Sequence, residues 1–158
     1  MIRSAHETDI EQILSLGREY DKNFSNKYLI KDYLKNDIYY LDVYDDNSIV
    51  VGFNLYTKMD NVIEILLIYV KVEYRQKHIA TSLLNNIDIT SGDRILLEVS
   101  VDNKPAIGLY KKFNFIEINR RKGYYNGIDA LVMEKVIKWK TYIFWQLNLV
   151  VMKRAFQL

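Results

Sequence analysis

The most informative segment of the sequence lies mid-chain and reads Ile68-Tyr69-Val70-Lys71-Val72-Glu73-Tyr74-Arg75-Gln76-Lys77-His78-Ile79-Ala80-Thr81. It joins a nearly continuous apolar strand, predicted over residues 62–72 and expected to be covered on both faces of the sheet, to a helix that begins at Ile79. A helix that begins directly after a strand presents unpaired N–H groups and the positive end of its dipole, which suits a phosphate group. Arg75 and Lys77 add positive charge there. The segment therefore predicts an anion-binding turn; a solvated basic turn is the alternative.

The segments on either side predict a single α/β domain without a flexible linker, since the chain has one proline and six glycines. Helical spacing predicts a first helix from a capping box at residues 8–11 to about Tyr20, and a second helix over residues 27–34. Further strands are predicted over residues 38–44, 48–56, 94–101, 115–122 and 129–137, with a short helix over residues 105–112. With one more strand placed before the first helix, the predicted order is β-α-α-β-β-β-α-β-α-β-β.

Composition excludes several kinds of site. The chain has 158 residues, enough for one domain, and its 22 basic and 20 acidic residues leave a charge of +2. That balance does not predict a nucleic-acid binder. Without cysteine there is no disulfide, thiolate nucleophile or Cys-ligated metal. His6 and His78 are the two histidines, too few for a multi-His metal site or a Ser-His-Asp triad. We expect neither metal nor covalent catalysis.

The N-terminal residues lack the apolar core of a signal peptide, and no run of about 18 apolar residues is present. We therefore expect a cytoplasmic protein without an integral membrane span.

A carboxylate lies within the predicted strand over residues 94–101. Alternation places Leu96, Glu98 and Ser100 on one face, so that Glu98 stands among hydrophobic residues. A buried carboxylate is costly unless it is partnered or protonated, and such groups often mark functional sites. The alternative is an outward-facing glutamate on an edge strand.

The next helix begins at Asn103, because Asn103 followed by Pro105 in the first turn is typical of a helix start. The Asn103 amide could equally bind a ligand amide. Tyr110 follows two turns later, where a tyrosine is most often a core residue.

Together these segments resemble the GNAT acetyltransferase superfamily, whose Arg/Gln-x-x-Gly-x-Gly/Ala signature is approximated by residues 75–80. The later part of the chain resembles the RimI-type ribosomal-protein alanine N-acetyltransferases. That second resemblance rests on Leu97-Glu98-Val99, Asn103, Ala106, Leu109-Tyr110, Phe113-Asn114-Phe115, Arg120-Arg121 and Tyr124-Tyr125. The resemblance covers about residues 1–137, and it implies a GNAT fold: a mixed, mostly antiparallel central sheet with helices on both faces.

The resemblance implies acetyl-CoA as the co-substrate and no metal. The pantetheine arm of acetyl-CoA would bind along the backbone of Ile68, Tyr69 and Val70 and beside Asn103. The residues that would hold its pyrophosphate are Gln76, Lys77, His78, Ile79, Ala80 and Thr81.

The resemblance also implies acid–base roles. Glu98 matches the family's general base, Tyr110 its general acid, and Tyr124 and Tyr125 the loop that lines the acceptor-peptide site.

Two positions depart from the family pattern. His78 replaces the first motif glycine, and we expect it to keep helical backbone angles. Asn114 replaces a glycine after the second helix, and we expect a left-handed C-cap there because asparagine tolerates positive φ.

The resemblance implies transfer of an acetyl group to the α-amino group of a protein N-terminus, most specifically the alanine of a small-subunit ribosomal protein. A GNAT enzyme that acetylates a small amine or a lysine side chain, and a GNAT-like binding module without catalysis, are the alternatives.

The resemblance suggests a GNAT domain at residues 1–138 and a C-terminal extension at residues 139–158, which is apolar and contains basic but no acidic residues. Packing on the sheet, self-association, partner binding and contact with a membrane surface are all open for the extension; we favour packing or self-association.

Overall fold

A computed structural model describes residues 1–21, 24 and 26–138, so the C-terminal extension predicted at residues 139–158 lies outside the described residues. The strands of the described part are β1 (Ile2–Ser4), β2 (Tyr39–Asp46), β3 (Ile49–Met59), β4 (Val62–Val70), β5 (Arg94–Ser100), β6 (Ile116–Tyr125) and β7 (Ile128–Val136). The α helices of that part are α1 (Ile10–Tyr20), α2 (Lys27–Lys35), α3 (Ile79–Asn85) and α4 (Lys104–Lys112).

The strands form one sheet in the order β1-β2-β3-β4-β5-β7-β6. Among the strands of the described part, only β4 and β5 run parallel, and the other neighbours are antiparallel. Helix α3 makes the crossover between the two parallel strands, as parallel pairing requires. The predicted element order and the mixed, mostly antiparallel GNAT sheet are confirmed.

Helices cover the two faces of the sheet unequally. The apolar side chains of α1 and α2 pack on one face of the sheet, against β2, β3 and β4. Those of α3 and α4 pack on the other face, along β3 to β7. We expected β4 to be covered on both faces. That expectation is wrong for its first half, where Glu64 is exposed and Leu66 is 43% exposed.

The start of the first helix differs from the prediction. The chain turns through a 3-10 helix at Glu7–Asp9 before α1, and the Asp9 carboxylate accepts the His6 N–H at 2.8 Å. The capping box predicted at residues 8–11 is therefore wrong. Asp9 also receives two hydrogen bonds from Arg3, at 2.7 and 2.9 Å, which fix this turn against β1.

Gly52 brings the start of α3 close to the sheet. A Cβ atom at Gly52 would lie 3.0 Å from the Tyr69 carbonyl oxygen and 3.3 Å from Ile79 Cγ2. Glycine therefore allows the turn that precedes α3 to lie directly against β3 and the end of β4.

Helix α4 ends in a Schellman motif. Asn114 has φ 65°, the Asn114 N–H donates to Lys111 O, and the Phe115 N–H donates to Tyr110 O, both at 3.0 Å. The left-handed C-cap predicted for Asn114 is confirmed. The motif fixes Tyr110 against Phe115, with their ring centroids 5.6 Å apart.

Candidate active site

A cleft opens between the two parallel strands. Strands β4 and β5 pair only where Val62, Ile63, Glu64 and Ile65 lie beside Arg94, Ile95, Leu96 and Leu97. Leu66 is an extra residue between two paired positions of β4, a β-bulge that bends the strand where the pairing ends. Beyond it β4 remains paired with β3, and β5 with β7, so no strand among the described residues pairs with their facing edges, which are called free edges below.

The free edge of β4 carries the predicted pantetheine residues. The Lys71 N–H donates to Val51 O on β3 at 2.9 Å. Alternation along the strand then directs the backbone groups of Tyr69 to β3 and those of Ile68 and Val70 to the cleft. The Val70 carbonyl already accepts the Arg75 Nε–H at 3.1 Å. Free backbone groups on this edge are therefore those of Ile68 and the Val70 N–H.

The turn before α3 is left-handed at two residues that are not glycine. Gln76 has φ 61° and His78 has φ 60° with ψ 15°. The expectation that His78 keeps helical angles is wrong, because its backbone is left-handed. Glycine suits this conformation best, since the Cβ atom of any other residue comes close to the following carbonyl oxygen. His78 therefore occupies a strained position at which the family has glycine.

Backbone amides and cations meet at this turn. The Ser82 N–H donates to His78 O at 2.9 Å, so the amides of Ile79, Ala80 and Thr81 precede the first such bond of α3. Gln76, Lys77 and His78 are exposed beside them. Lys77 Nζ lies 4.7 Å from the centroid of the Tyr74 ring. The predicted pyrophosphate residues thus come together with free donors and positive charge.

Asn103 is the N-cap of α4, as predicted. Its Oδ1 accepts the Ala106 N–H at 3.2 Å, and Pro105 lies in the first turn. The cap uses only the amide oxygen, so the amide nitrogen of this exposed side chain is available to a ligand.

Glu98 lies on the free edge of β5, on the face opposite α4. Its side chain is 20% exposed, and its Oε1 lies 2.9 Å from Arg121 Nη1. The predicted carboxylate is therefore half-buried and partnered. Its strand is not an edge strand, because β5 lies between β4 and β7 in the sheet, although β4 and β5 are no longer paired at Glu98.

Tyr110 approaches from α4 on the other face and is 5% exposed. Burial raises the pKa of its phenol well above the ordinary value, and the neighbouring Tyr125 and Tyr20 raise it further. Burial also raises the pKa of Tyr125, to about 12, with Tyr20 and then Glu98 as the next causes. Tyr125 thus has both predicted acid–base residues among its electrostatic neighbours.

The predicted acceptor residues lie beside Glu98. Tyr124 is 50% exposed, its ring centroid lies 5.1 Å from that of Tyr125, and the Arg121 guanidinium lies 5.2 Å from the Tyr124 centroid. Glu98, Arg121 and the two tyrosines therefore form one surface.

Sequence reasoning missed the contribution of α1. Tyr20, the last residue of that helix, lies 6.2 Å from the Tyr69 ring, and the Tyr69 hydroxyl donates to Glu19 at 3.0 Å. Helical spacing predicted where α1 ends, but it did not predict that this end contacts Tyr69 of β4. Arg121 belongs to the Arg120-Arg121 motif, but its contact with Glu98 depends on the pairing of β5, β7 and β6.

Residues 1–21, 24 and 26–138 contain no group of three His, Cys, Asp or Glu side chains placed to hold a metal ion. Within the same ranges, no helix is long and apolar enough to cross a membrane.

Comparison with known proteins agrees with this architecture. The sequence profile of the acetyltransferase (GNAT) family matches residues 8–115. The chain is 31% identical to an N-alpha-acetyltransferase of Saccharolobus solfataricus over 152 residues, which cover 85% of this chain and 91% of the relative. It is 36% identical over 101 residues to a Bacillus subtilis protein named as a candidate ribosomal-protein-bS18-alanine N-acetyltransferase, covering 60% of this chain and 66% of that protein.

A solved structure shares the fold. The ribosomal-protein-S18-alanine N-acetyltransferase of Escherichia coli superimposes with a TM-score of 0.76 at 20% identity, over 90% of this chain and 97% of that one.

Proposed function

The chain belongs to the GNAT acetyltransferase family, and we propose that it transfers the acetyl group of acetyl-CoA to the α-amino group of a protein N-terminus. The observation that carries the proposal is Glu98 on the free edge of β5, with the Tyr124–Tyr125 pair beside it. The Saccharolobus relative, named N-alpha-acetyltransferase, supports the choice of acceptor.

The residues of the cleft fit acetyl-CoA, which supplies a reactive thioester when bound. An extended amide-containing arm would find strand-like partners at Ile68 and Val70, and the Asn103 amide lies at the start of α4. Phosphate groups would find the free amides before Ser82 and the exposed Lys77. Tyr69 would contribute its side chain rather than its backbone to this region.

Glu98 and Tyr110 are the residues we propose for the two proton transfers of the reaction. A protein α-amino group has a pKa of about 7.7–8.0, so a carboxylate can take its proton near neutrality, directly or through a water. Glu98 accepts that proton as the N–C bond forms. Tyr110, which burial keeps protonated, donates a proton to the sulfur as the C–S bond breaks. No covalent enzyme intermediate is needed, in keeping with a chain that lacks cysteine.

The acceptor we propose is the N-terminal alanine of a small-subunit ribosomal protein. Support comes from the name of the Bacillus subtilis relative and from the paired tyrosines that follow the basic residues of β6. Paired aromatic rings suit an extended peptide better than a small amine.

The test offers acetyl-CoA with three kinds of acceptor: peptides that copy ribosomal-protein N-termini, the same peptides with blocked α-amino groups and an added lysine, and a polyamine. Mass spectrometry locates the acetyl group, and the Glu98→Gln protein is the matched control. We expect acetylation of the free α-amino group, fastest on alanine. Equal rates on the blocked peptides, or preference for the polyamine, would contradict the proposal.

A further inference from the structure

Arg121 lies on the same face of the sheet as Glu98. In the register of the strands, Arg121 is opposite Ala130 on β7, and Ala130 and Val132 are in turn opposite Ser100 and Glu98 on β5. The guanidinium therefore reaches across β7, and its Nη1 approaches Glu98 Oε1 at 2.9 Å. This contact occupies one oxygen of Glu98 and leaves Oε2 for another partner.

Stability does not account for this contact. The Arg121 side chain is 52% exposed, and ion pairs with so exposed a partner contribute little to folding because water screens them. A half-buried carboxylate without a partner would, in contrast, be free to change rotamer. The contact therefore does more to fix the orientation of the Glu98 side chain than to stabilise the fold.

The same guanidinium is held from a second side. It lies 5.2 Å from the centroid of the Tyr124 ring, and that ring packs edge-on against Tyr125. A planar guanidinium can stack on an aromatic ring and still donate hydrogen bonds from its edge, which a lysine ammonium cannot do in the same way. Arg121 thus links the acid–base carboxylate to the aromatic residues proposed to line the acceptor site.

We propose that Arg121 is a positioning residue for acetyl transfer. It holds Oε1 of Glu98 so that Oε2 faces the acceptor amine. It also keeps the Tyr124 ring at a fixed position relative to Glu98. The inference rests on the proposed function, because it assigns a role within that reaction. It adds a residue whose effect is exerted through Glu98 and not through acetyl-CoA.

Arg94 supplies a matched control on the same strand. Its Nη2 lies 2.5 Å from Glu134 Oε1, so it also pairs β5 with β7 through a guanidinium and a carboxylate. It lies four residues before Glu98, about 13 Å along the strand, at the end away from the cleft. Loss of that pair removes a comparable surface contact without touching the site.

The experiment is a double-mutant cycle between Arg121→Met and Glu98→Gln, with kcat and KM for a peptide N-terminus and the Kd for acetyl-CoA measured in each protein. Arg121→Met alone should lower kcat about 10–100-fold, within the range of general acid–base assistance, and leave the acetyl-CoA Kd unchanged. In the Glu98→Gln background the same substitution should change kcat less than about 2-fold. Arg121→Lys should restore part of the loss, and Arg94→Met should behave as wild type.

The outcomes separate the two claims. Additive losses in the cycle, an equal loss in Arg94→Met, or a changed acetyl-CoA Kd in Arg121→Met would overturn the positioning role while wild-type activity stands. A wild-type protein that acetylates no α-amino group would overturn the proposed function and this inference with it. Circular dichroism and thermal unfolding establish that each variant is folded, and Arg121→Lys provides a second variant that retains the charge.

Discussion

We propose that Glu98 and Tyr110 act on opposite ends of the reaction, so pH should separate their roles. Glu98→Gln removes the base but keeps the shape, and its defect should shrink as pH rises and the acceptor amine deprotonates unaided. Tyr110→Phe removes the acid, and a higher pH should not rescue it. Each loss should be about 10²–10⁴-fold in kcat/KM, measured against pH, with little change in acetyl-CoA affinity.

Burial places the Tyr110 titration above the usual assay range, because it raises the pKa of the phenol. No alkaline decline from Tyr110 should therefore appear in the wild-type profile below about pH 10. If Tyr110→Phe keeps near-wild-type rates throughout, Tyr110 is a packing residue and another group protonates the sulfur.

His78 is a test of backbone strain at the anion-binding turn. His78→Gly removes a left-handed non-glycine residue, φ 60°, but adds flexibility to the unfolded chain. The net gain should be about 0.5–1 kcal/mol of unfolding free energy, measured in urea, with acetyl-CoA affinity equal or higher by calorimetry. A large loss of affinity would show instead that the imidazole has become a ligand contact.

At the scale of elements, Arg3 joins β1 to β2 and to the turn before α1. Its hydrogen bonds lower the pKa of Asp9 and of Asp45 below their ordinary value of 3.8. A carboxyl with a lowered folded pKa binds fewer protons than in the unfolded chain, so it stabilises the fold above its unfolded pKa and loses that effect as pH falls through the folded pKa.

Arg3→Met should therefore lower the unfolding free energy at pH 7 and reduce its fall between about pH 4 and pH 2. Urea unfolding of both proteins at these pH values measures the difference. Parallel curves would mean that the Arg3 hydrogen bonds do not survive in solution.

The elements were predictable where the local pattern is strong. The strand at Val62–Val70 follows from its nearly continuous apolar run, the helix after His78 from the spacing of its apolar residues, and the Asn103 cap from side-chain chemistry. Local signals also predicted the left-handed Asn114, because it closes a helix. They failed at the capping box of residues 8–11, where Arg3, a partner from another element, decides which carboxylate caps the turn.

The site was less predictable because its geometry arises from the sheet. The free edges at Ile68 and Glu98 exist because β4 and β5 part after four paired positions, which no local pattern reports. The contact of Arg121 with Glu98 likewise requires β6 to lie outside β7. The family resemblance identified the site residues, whereas their distances and contacts depend on the sheet topology.

For the whole molecule, we propose that residues 1–138 are sufficient to bind acetyl-CoA. The family profile ends at residue 115, and every proposed site residue precedes residue 126. A chain that ends after Lys138 should keep the acetyl-CoA Kd within about 2-fold by calorimetry but change in oligomer size or solubility, because the extension is rich in apolar residues. A folded truncation that no longer binds CoA would place the extension within the catalytic domain.

We propose that acetyl transfer to an α-amino group takes place at the cleft between β4 and β5. A single peptide that carries a free N-terminus and one lysine side chain makes the two kinds of amine compete within one molecule. With acetyl-CoA at pH 7, tandem mass spectrometry of the product should find the acetyl group on the N-terminus, and Glu98→Gln should reduce its formation at least about 100-fold. Acetyl groups on the lysine side chain would contradict the α-amino acceptor. N-terminal acetylation that Glu98→Gln leaves unchanged would contradict the role of Glu98 as the base.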